Sequence, residues 1–295
     1  MTQVAVVVHE GKLAAVRGAD PCALIRSALR DRGEPPPRMY PTSDSDAGTE
    51  AARTALSEGA DLVIVCGGDG TVSACAAALA DTGVPMAVVP IGTGNLVAGN
   101  LGLPRDPEAA VATALDGADR HLDVGRVRDG VVVGMAGLGL DAAMVQDAPR
   151  TLKRHVGWLA YVVSLTRHLG DRGFTIVLDV DGRRRRHRNV RTVVVGNVGE
   201  LHGGLTLFPD ARPDDGLLEV AVLAPRTLWG WVSVVVDLLR GKKKSPAVRR
   251  WRGRHIAVTC RRPLRREVDG EALPDGRVLD VAVEPGALLL RTAAG

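Results

Sequence analysis

Along the first 120 or so positions, apolar runs and helical periods take turns. Residues 4–8 are an unbroken apolar run, the pattern of a strand buried on both faces. Residues 21–32 then set Ala23, Leu24, Ala28 and Leu29 on one side of a predicted helix. Pro35, Pro36 and Pro37 break the chain, and residues 48–59 read as a second helix. The run DLVIVC at 61–66 predicts another buried strand, followed by a helix over 72–79. A strand over 85–90 precedes helices over 96–101 and 108–115. Such alternation predicts a parallel sheet covered on both faces, an open α/β domain.

The pattern changes after Asp123. Apolar segments at 124–136, 175–181, 191–197, 217–223, 255–259, 278–283 and 287–291 are separated by Gly, Asp and Pro turns. Only 152–169 and 227–240 keep a helical pattern among them. Many short strands with turn punctuation predict a β-sandwich. The expected division is residues 1–122, with 280–295 returning to them, and residues 123–279. Asp181-Gly182 is a hairpin signal, which puts Arg183 to Arg186 just past a turn.

Composition agrees with two packed domains. Of the 295 residues, 45% are hydrophobic and only 3% aromatic, so the core must rest on Val, Leu, Ala and Ile. No apolar run reaches the ~20 residues of a membrane span, and Met1-Thr2-Gln3 lacks the basic start of a signal peptide. The four cysteines show no metal-ligand spacing, Cys66 reads as a buried free thiol, and a cytoplasmic location is expected. No HxxxH-type spacing supports a catalytic zinc, and His9 and His202 read as surface residues as readily as ligands.

Charge is uneven. Residues 181–267 carry twenty Lys and Arg against eight Asp and Glu, although the whole chain is only +4. One surface is therefore expected to meet an anionic partner, a nucleic acid or a membrane. The basic residues are not interleaved with stacking aromatics, which argues against single-strand recognition. Residues 226–254 combine Leu228, Trp229, Trp231, Val232, Val235 and Leu238 with Lys242, Lys243, Lys244, Arg249 and Arg250. That combination suits peripheral contact with an anionic membrane, or equally a packed helix with a solvated basic loop.

The strongest chemical signal is Cys66-Gly67-Gly68-Asp69-Gly70-Thr71, between a predicted strand and a predicted helix. Glycines there let the backbone approach a bound group, and free N–H groups at the helix start favour an anion. Asp69 among such amides would repel a phosphate unless a metal, a ribose hydroxyl or a proton compensates it. A purely structural turn gains little from an acid at that point. Pro90-Ile91-Gly92-Thr93-Gly94-Asn95 repeats the strand–loop–helix arrangement, with an ordinary helix cap as its plainer reading. Two such loops converge on one crevice in an open sheet, which favours a nucleotide site. Neither GxxxxGK[ST] nor GxGxxG occurs in these segments. Further acids stand at Asp123, Asp214, Asp215 and Glu271.

GGDGT, P-x-GT-x-N, LDVG, PDARPDDGLLEV and DGE occur in an order that resembles the diacylglycerol kinase catalytic family, which includes bacterial lipid kinases and sphingosine kinases. The similarity runs from about Asp61 to Glu271; GGDGT alone is shared with NAD kinases. The resemblance implies an N-terminal α/β domain that binds ATP, a C-terminal β-sandwich that receives a lipid, and an active site in the cleft between them. It implies ATP contacts at Thr42, Gly67, Gly68, Asp69, Gly70, Thr71, Val72, Ser73, Ala74, Gly92, Thr93 and Asn95, with Ser43 as a substitute for Thr42. Glu271 matches the proton acceptor, its basicity raised by partial burial. Asp215, with the carbonyls of Arg212 and Leu217, matches a Mg²⁺ site. Asp123 is expected to orient the acceptor hydroxyl, and a homodimer is ordinary in the family. The sequence departs from the family where Val8-His9-Glu10-Gly11-Lys12 replaces Asn-Pro-x-Ser-Gly, and at Ser73-Ala74 and Leu96. Those departures leave open a degenerate lipid-binding or regulatory protein, and the shared glycine motif leaves open an NAD kinase-like enzyme.

Overall fold

The computed structural model describes residues 2–16, 18–43, 46–128, 130–139, 173–201, 204–225, 227–243 and 245–293. They form two compact units, Met1–Val124 with Gly286–Gly295, and Gly125–Pro285. The expected helix over 152–169 lies outside the described residues.

The first unit runs β1 (Val4–His9), α1 (Glu10–Leu13), α2 (Pro21–Asp31), β2 (Arg38–Thr42), α3 (Thr49–Ser57), β3 (Leu62–Gly67), α4 (Asp69–Leu79), β4 (Met86–Pro90), α5 (Leu96–Asn100) and α6 (Pro107–Asp116). The strands are parallel in the order β4-β3-β1-β2. Every residue of β1, β3 and β4 is buried, as unbroken apolar runs require. In α2, Asp20 accepts the Cys22 N–H and Pro21 fixes the first turn, while Cys22, Ile25 and Leu29 face the core. The buried stripe is thus turned from the expected one, and Ala23 is exposed. Strand β2 gave no sequence signal because Pro41 interrupts it. Among the described residues it pairs with β1 alone, and an edge strand tolerates a residue that cannot donate.

Among its described residues the second unit's regular elements are strands and one helix. β5 (Ala118–Val127) leads into it, followed by β6 (Gly130–Val132), β7 (Met135–Gly139), β8 (Phe174–Val180), β9 (Arg183–Val190), β10 (Thr192–Gly196), β11 (Glu200–Leu201), β12 (Leu205–Thr206) and β13 (Leu218–Leu223). Then come α7 (Leu228–Leu239), β14 (Val248–Gly253), β15 (His255–Val268) and β16 (Glu271–Thr292). The single strand expected over 124–136 is therefore parts of three, and the two expected near the C-terminus are one long strand.

Strand β15 changes partners along its length. Ile256 to Cys260 pair with β8, and Arg266 to Val268 pair with β7, on either side of an irregular stretch. A strand that switches sheets in this way makes the corner of a sandwich. Between the layers lies a core of Leu138, Ile176, Leu178, Val193, Val220, Ile256 and Val258, among others. A second apolar layer, with Phe208, Leu207 and Val248, is covered by Trp231, Val234 and Leu238 of α7. All four cysteines are free and buried. Among the described residues no helix is long and apolar enough to cross a membrane.

Candidate active site

Register aligns the carboxyl ends of the first unit's strands. His9 stands opposite Thr42, Val8 opposite Cys66, and Gly67 opposite Pro90. From β1 the chain passes outward to β2 on one side, and β3 begins on the other. The crevice outside the carboxyl ends of β1 and β3 is the topological switch point, where open α/β sheets bind ligands. The segments that leave those two strands are α1 and the glycine loop.

These segments meet closely. A Cβ on Gly92 would lie 2.5 Å from the Gly68 Cα and 2.7 Å from Asn95 Oδ1, so the two glycine loops touch backbone to backbone. A Cβ on Gly68 would lie 3.1 Å from Gly92 Cα and 3.1 Å from Lys12 Nζ. Glycine is required at Gly92 by space rather than by dihedral angle, and Gly68 is tightly enclosed. The Lys12 ammonium therefore stands over the loop, carried there by α1. His9, buried at the end of β1 and so not a surface residue, starts that helix by accepting the Lys12 N–H at 3.4 Å.

Asn95 braces the second loop. It sits at φ +48°, accepts the Gly92 N–H at 3.0 Å and donates to the Gly92 carbonyl at 2.8 Å. It does not cap α5. Asp69 does, accepting the Val97 N–H at 3.2 Å. This corrects the argument that an acid in the loop has no structural use, because Asp69 ties the start of α4 to the start of α5. Thr71 is buried, and its hydroxyl has no hydrogen-bond partner among the described residues. Val72 and Ser73 are also buried, Gly70 and Ala74 are half-buried, and Thr93 is exposed on the second loop. The Thr42 hydroxyl, at the end of β2, donates to the Asp46 carbonyl. Asp123 is buried and accepts the Gly286 N–H at 2.8 Å, a tie between β5 and the returning β16.

The acids of the second unit are placed differently. Glu271 begins β16 directly after the turn Asp269-Gly270, opposite Val268 of β15. Its side chain is exposed, contrary to the expected partial burial. Two buried carboxylates hold the turn. Asp269 accepts the N–H groups of Val133 at 2.9 Å and of Gly134 and Met135 at 2.8 Å, and Glu267 accepts the Gly270 N–H at 2.8 Å. Asp215 accepts the Leu217 N–H at 3.1 Å and pairs with Arg252, which also lies 3.5 Å from Glu219. Burial pushes the Glu219 carboxyl up from its ordinary value, against the pull of Arg252. Asp214 lies 3.8 Å from Arg212. Among the described residues no three His, Cys, Asp or Glu side chains group as a metal cage.

The structure thus brings together Gly68, Asp69, Gly92, Asn95 and Lys12. Sequence reasoning missed Lys12, which lies in the segment that departs from the family's opening motif. It missed Asp269 and Glu267 as well, although Asp269-Gly270 is the same hairpin signal as Asp181-Gly182.

A family model described as the diacylglycerol kinase catalytic domain matches residues 5–127. One described as the YegS C-terminal NAD kinase beta sandwich-like domain matches residues 134–292. A Pseudomonas aeruginosa protein named "Probable lipid kinase YegS-like" is 31% identical over 278 residues, covering 91% of this chain and 88% of that one. An uncharacterized Synechocystis protein is 30% identical over 226 residues, 73% of this chain, which spans about half of it (51%). Among solved structures, a diacylglycerol kinase from Bacillus anthracis matches with a TM-score of 0.70 at 20% identity, covering 98% of this chain and 96% of that one. An NAD kinase from Archaeoglobus fulgidus shares the fold at a TM-score of 0.53 and 13% identity, over 98% of this chain and 94% of that one.

Proposed function

The chain belongs to the diacylglycerol kinase family of lipid kinases, and on that premise we propose that it transfers the γ-phosphate of ATP to a hydroxyl of a diacylglycerol-like membrane lipid. The observation that carries the donor side is the pair of touching glycine loops at the switch point, with the Lys12 ammonium above Gly68. The residues fit a phosphate group. The cradle has no room for a Cβ at Gly92 and little at Gly68, and a buried Thr71 hydroxyl and an 11-residue helix start lie beside it.

In this reading the amides of Gly68, Asp69 and Gly70 donate to phosphate oxygens, and Lys12 neutralises charge that builds on them during transfer. Thr42, Val72, Ser73, Ala74, Gly92 and Thr93 complete the nucleotide site, and Asn95 keeps its second loop in shape. Magnesium bound with the nucleotide supplies further charge neutralisation, with Asp69 as the carboxylate that would hold it. Glu271 accepts the proton of the lipid hydroxyl as its oxygen attacks, and ADP leaves. Asp123, already bonded to the Gly286 amide, serves through the backbone it fixes rather than as a free base. At Asp215, with the carbonyls of Arg212 and Leu217, the residues do not fit an open magnesium seat, because Arg252 already pairs with the carboxylate. No step is routed through it.

The test is transfer of label from γ-labelled ATP, with membrane-lipid extract or NAD as acceptor. Label in an organic-phase product that disappears with Glu271→Gln supports the proposal. Label in NADP instead, or none in any acceptor, overturns it.

A further inference from the structure

In the sheet order β9-β8-β15-β16, Ile176, Leu178, Ile256, Val258, Leu279 and Val281 point into the sandwich core. Strand alternation turns the residues between them to the opposite, outer side. Register sets three rows there. Arg186, Val177, Thr259 and Val278 form the middle one. On one flank stand Arg184, Asp179, Ala257 and Asp280. On the other, one step beyond the inward His187, Ile176 and Cys260, come Arg188, Thr175 and Arg261. In the middle row Val177 is 40% exposed and Val278 43%, each opposite Thr259.

Charge on this face is met on one flank and left open on the rest. Arg184 lies 2.9 Å from Asp179, and Asp280 lies 2.9 Å from His255. The other two rows hold Arg186, Arg188 and Arg261 and no acid. All three arginines are exposed and have no ion-pair partner among the described residues. Arg185 is turned the other way, 5.8 Å over the Trp251 ring, which packs on His187 at 5.1 Å between centroids. Among the described residues β9 pairs with β8 alone, and β14 with β13 alone. The lysines after α7 are different. Lys242 is 2.8 Å from Asp237 and Lys243 is 2.5 Å from Asp210, so their charges are met locally. That corrects the expectation of a solvated lysine run at 242–243; Lys244 lies outside the described residues.

We infer that the outer face of β9-β8-β15-β16 is a docking surface for a bilayer that contains anionic phospholipid. The inference rests on the lipid-kinase reading for its biological sense, since such an acceptor resides in a bilayer, and on the second unit alone for its geometry. Uncompensated arginines spread over a sheet face are drawn to anionic headgroups, and the valines between them tolerate a surface that excludes water. Protection of an edge strand from pairing explains the arginines of β9. It explains neither Arg261 on the interior strand β15 nor the exposed valines. A second copy docked through this face would meet acids that are already paired and arginines like its own. A nucleic acid would find no aromatic ring in these rows on which to stack a base.

Cosedimentation of the full chain with phosphatidylcholine vesicles, with and without phosphatidylglycerol, tests this. The parent should prefer the anionic vesicles by roughly tenfold or more, and added salt should weaken that preference. Arg186→Gln with Arg261→Gln should lower binding to the anionic vesicles at least about tenfold at low salt. Thr259→Glu, which sets an acid among the three arginines, should do the same by an independent route. Lys242→Gln with Lys243→Gln removes as much charge as the arginine pair and should bind nearly as the parent does. All three variants should melt as the parent does and phosphorylate a dispersed short-chain acceptor at the parent's rate. The inference is overturned if the parent ignores anionic lipid, or if the arginine and glutamate variants bind it as the parent does. It is equally overturned if the lysine variant loses as much binding as the arginine variant, which would make net charge the cause. Loss of only self-association or of only nucleic-acid binding in the arginine variant also overturns it. Vesicle binding without transfer to any lipid would sink the kinase reading and leave the docking face standing.

Discussion

Asp69 and Lys12 are where single side chains decide most. Asp69→Asn keeps an oxygen that can accept the Val97 N–H but removes the charge. It should fold with a nearly unchanged melting temperature and lose at least ~100-fold in kcat, an interaction worth about 2.7 kcal/mol in the transition state. Asp69→Ala loses the cap as well and should cost about 1 kcal/mol of stability besides. Near-normal turnover in folded Asp69→Asn would reduce Asp69 to a structural cap. Lys12→Met should weaken nucleotide binding by roughly tenfold at unchanged stability, read as the KM for ATP and by direct titration. At Asp269 the expected effect is the reverse. Asn offers one oxygen where three backbone N–H groups need acceptors, and its NH₂ would oppose one of them. Asp269→Asn should therefore cost about 2 kcal/mol in urea unfolding and lower kcat more than it raises KM for ATP, because the turn it holds carries Glu271.

Strand β9 reads as a charge run and is nevertheless half of a hairpin. Asp181 (φ +49°) and Gly182 (φ +81°) supply the turn, and Val180 pairs with Arg183 across it. Its buried residues are Val190 and His187, and burial first, then Arg249 and Arg185, hold His187 below the ordinary value of 6.5. A depressed folded pKa means that the unfolded chain takes up the proton first. Stability from this group is present above about pH 6.5 and is lost as pH falls through the folded value. His187→Phe keeps a ring against Trp251 and removes the titration, so its unfolding free energy should be flatter than the parent's between pH 7.5 and 5. Parallel slopes would exclude His187 as a source of acid sensitivity. In the glycine loops the element-level constraint is contact. Gly92→Ala places a methyl 2.5 Å from Gly68 Cα, which should cost about 1–3 kcal/mol and abolish nucleotide binding together.

Across the whole molecule, ligand binding and folding are linked. A nucleotide held by the native loops should raise the melting temperature, by an amount equivalent to about 2.7 kcal/mol at a hundredfold excess over its Kd. Lys12→Met should shrink that gain, and an unshifted melt with the parent would count against a nucleotide at the switch point. Much of this was legible in residue order. The unbroken runs at β1, β3 and β4 could only be strands buried on both faces, and turn-punctuated short strands after Asp123 could only stack as layers. The five motifs in order also carried the family. Residue order could not show β2, β9 or β14, because proline and arginine mask strands whose open edges tolerate them. Nor could it show that Lys12 stands over Gly68, that Asp69 caps α5, or that Asp215 is paired with Arg252. Periodicity reports which side of an element faces the core and is fixed by neighbours three or four residues apart. Contacts between loops depend on strand order and register, which join residues far apart in the chain, so only the tertiary structure decided them.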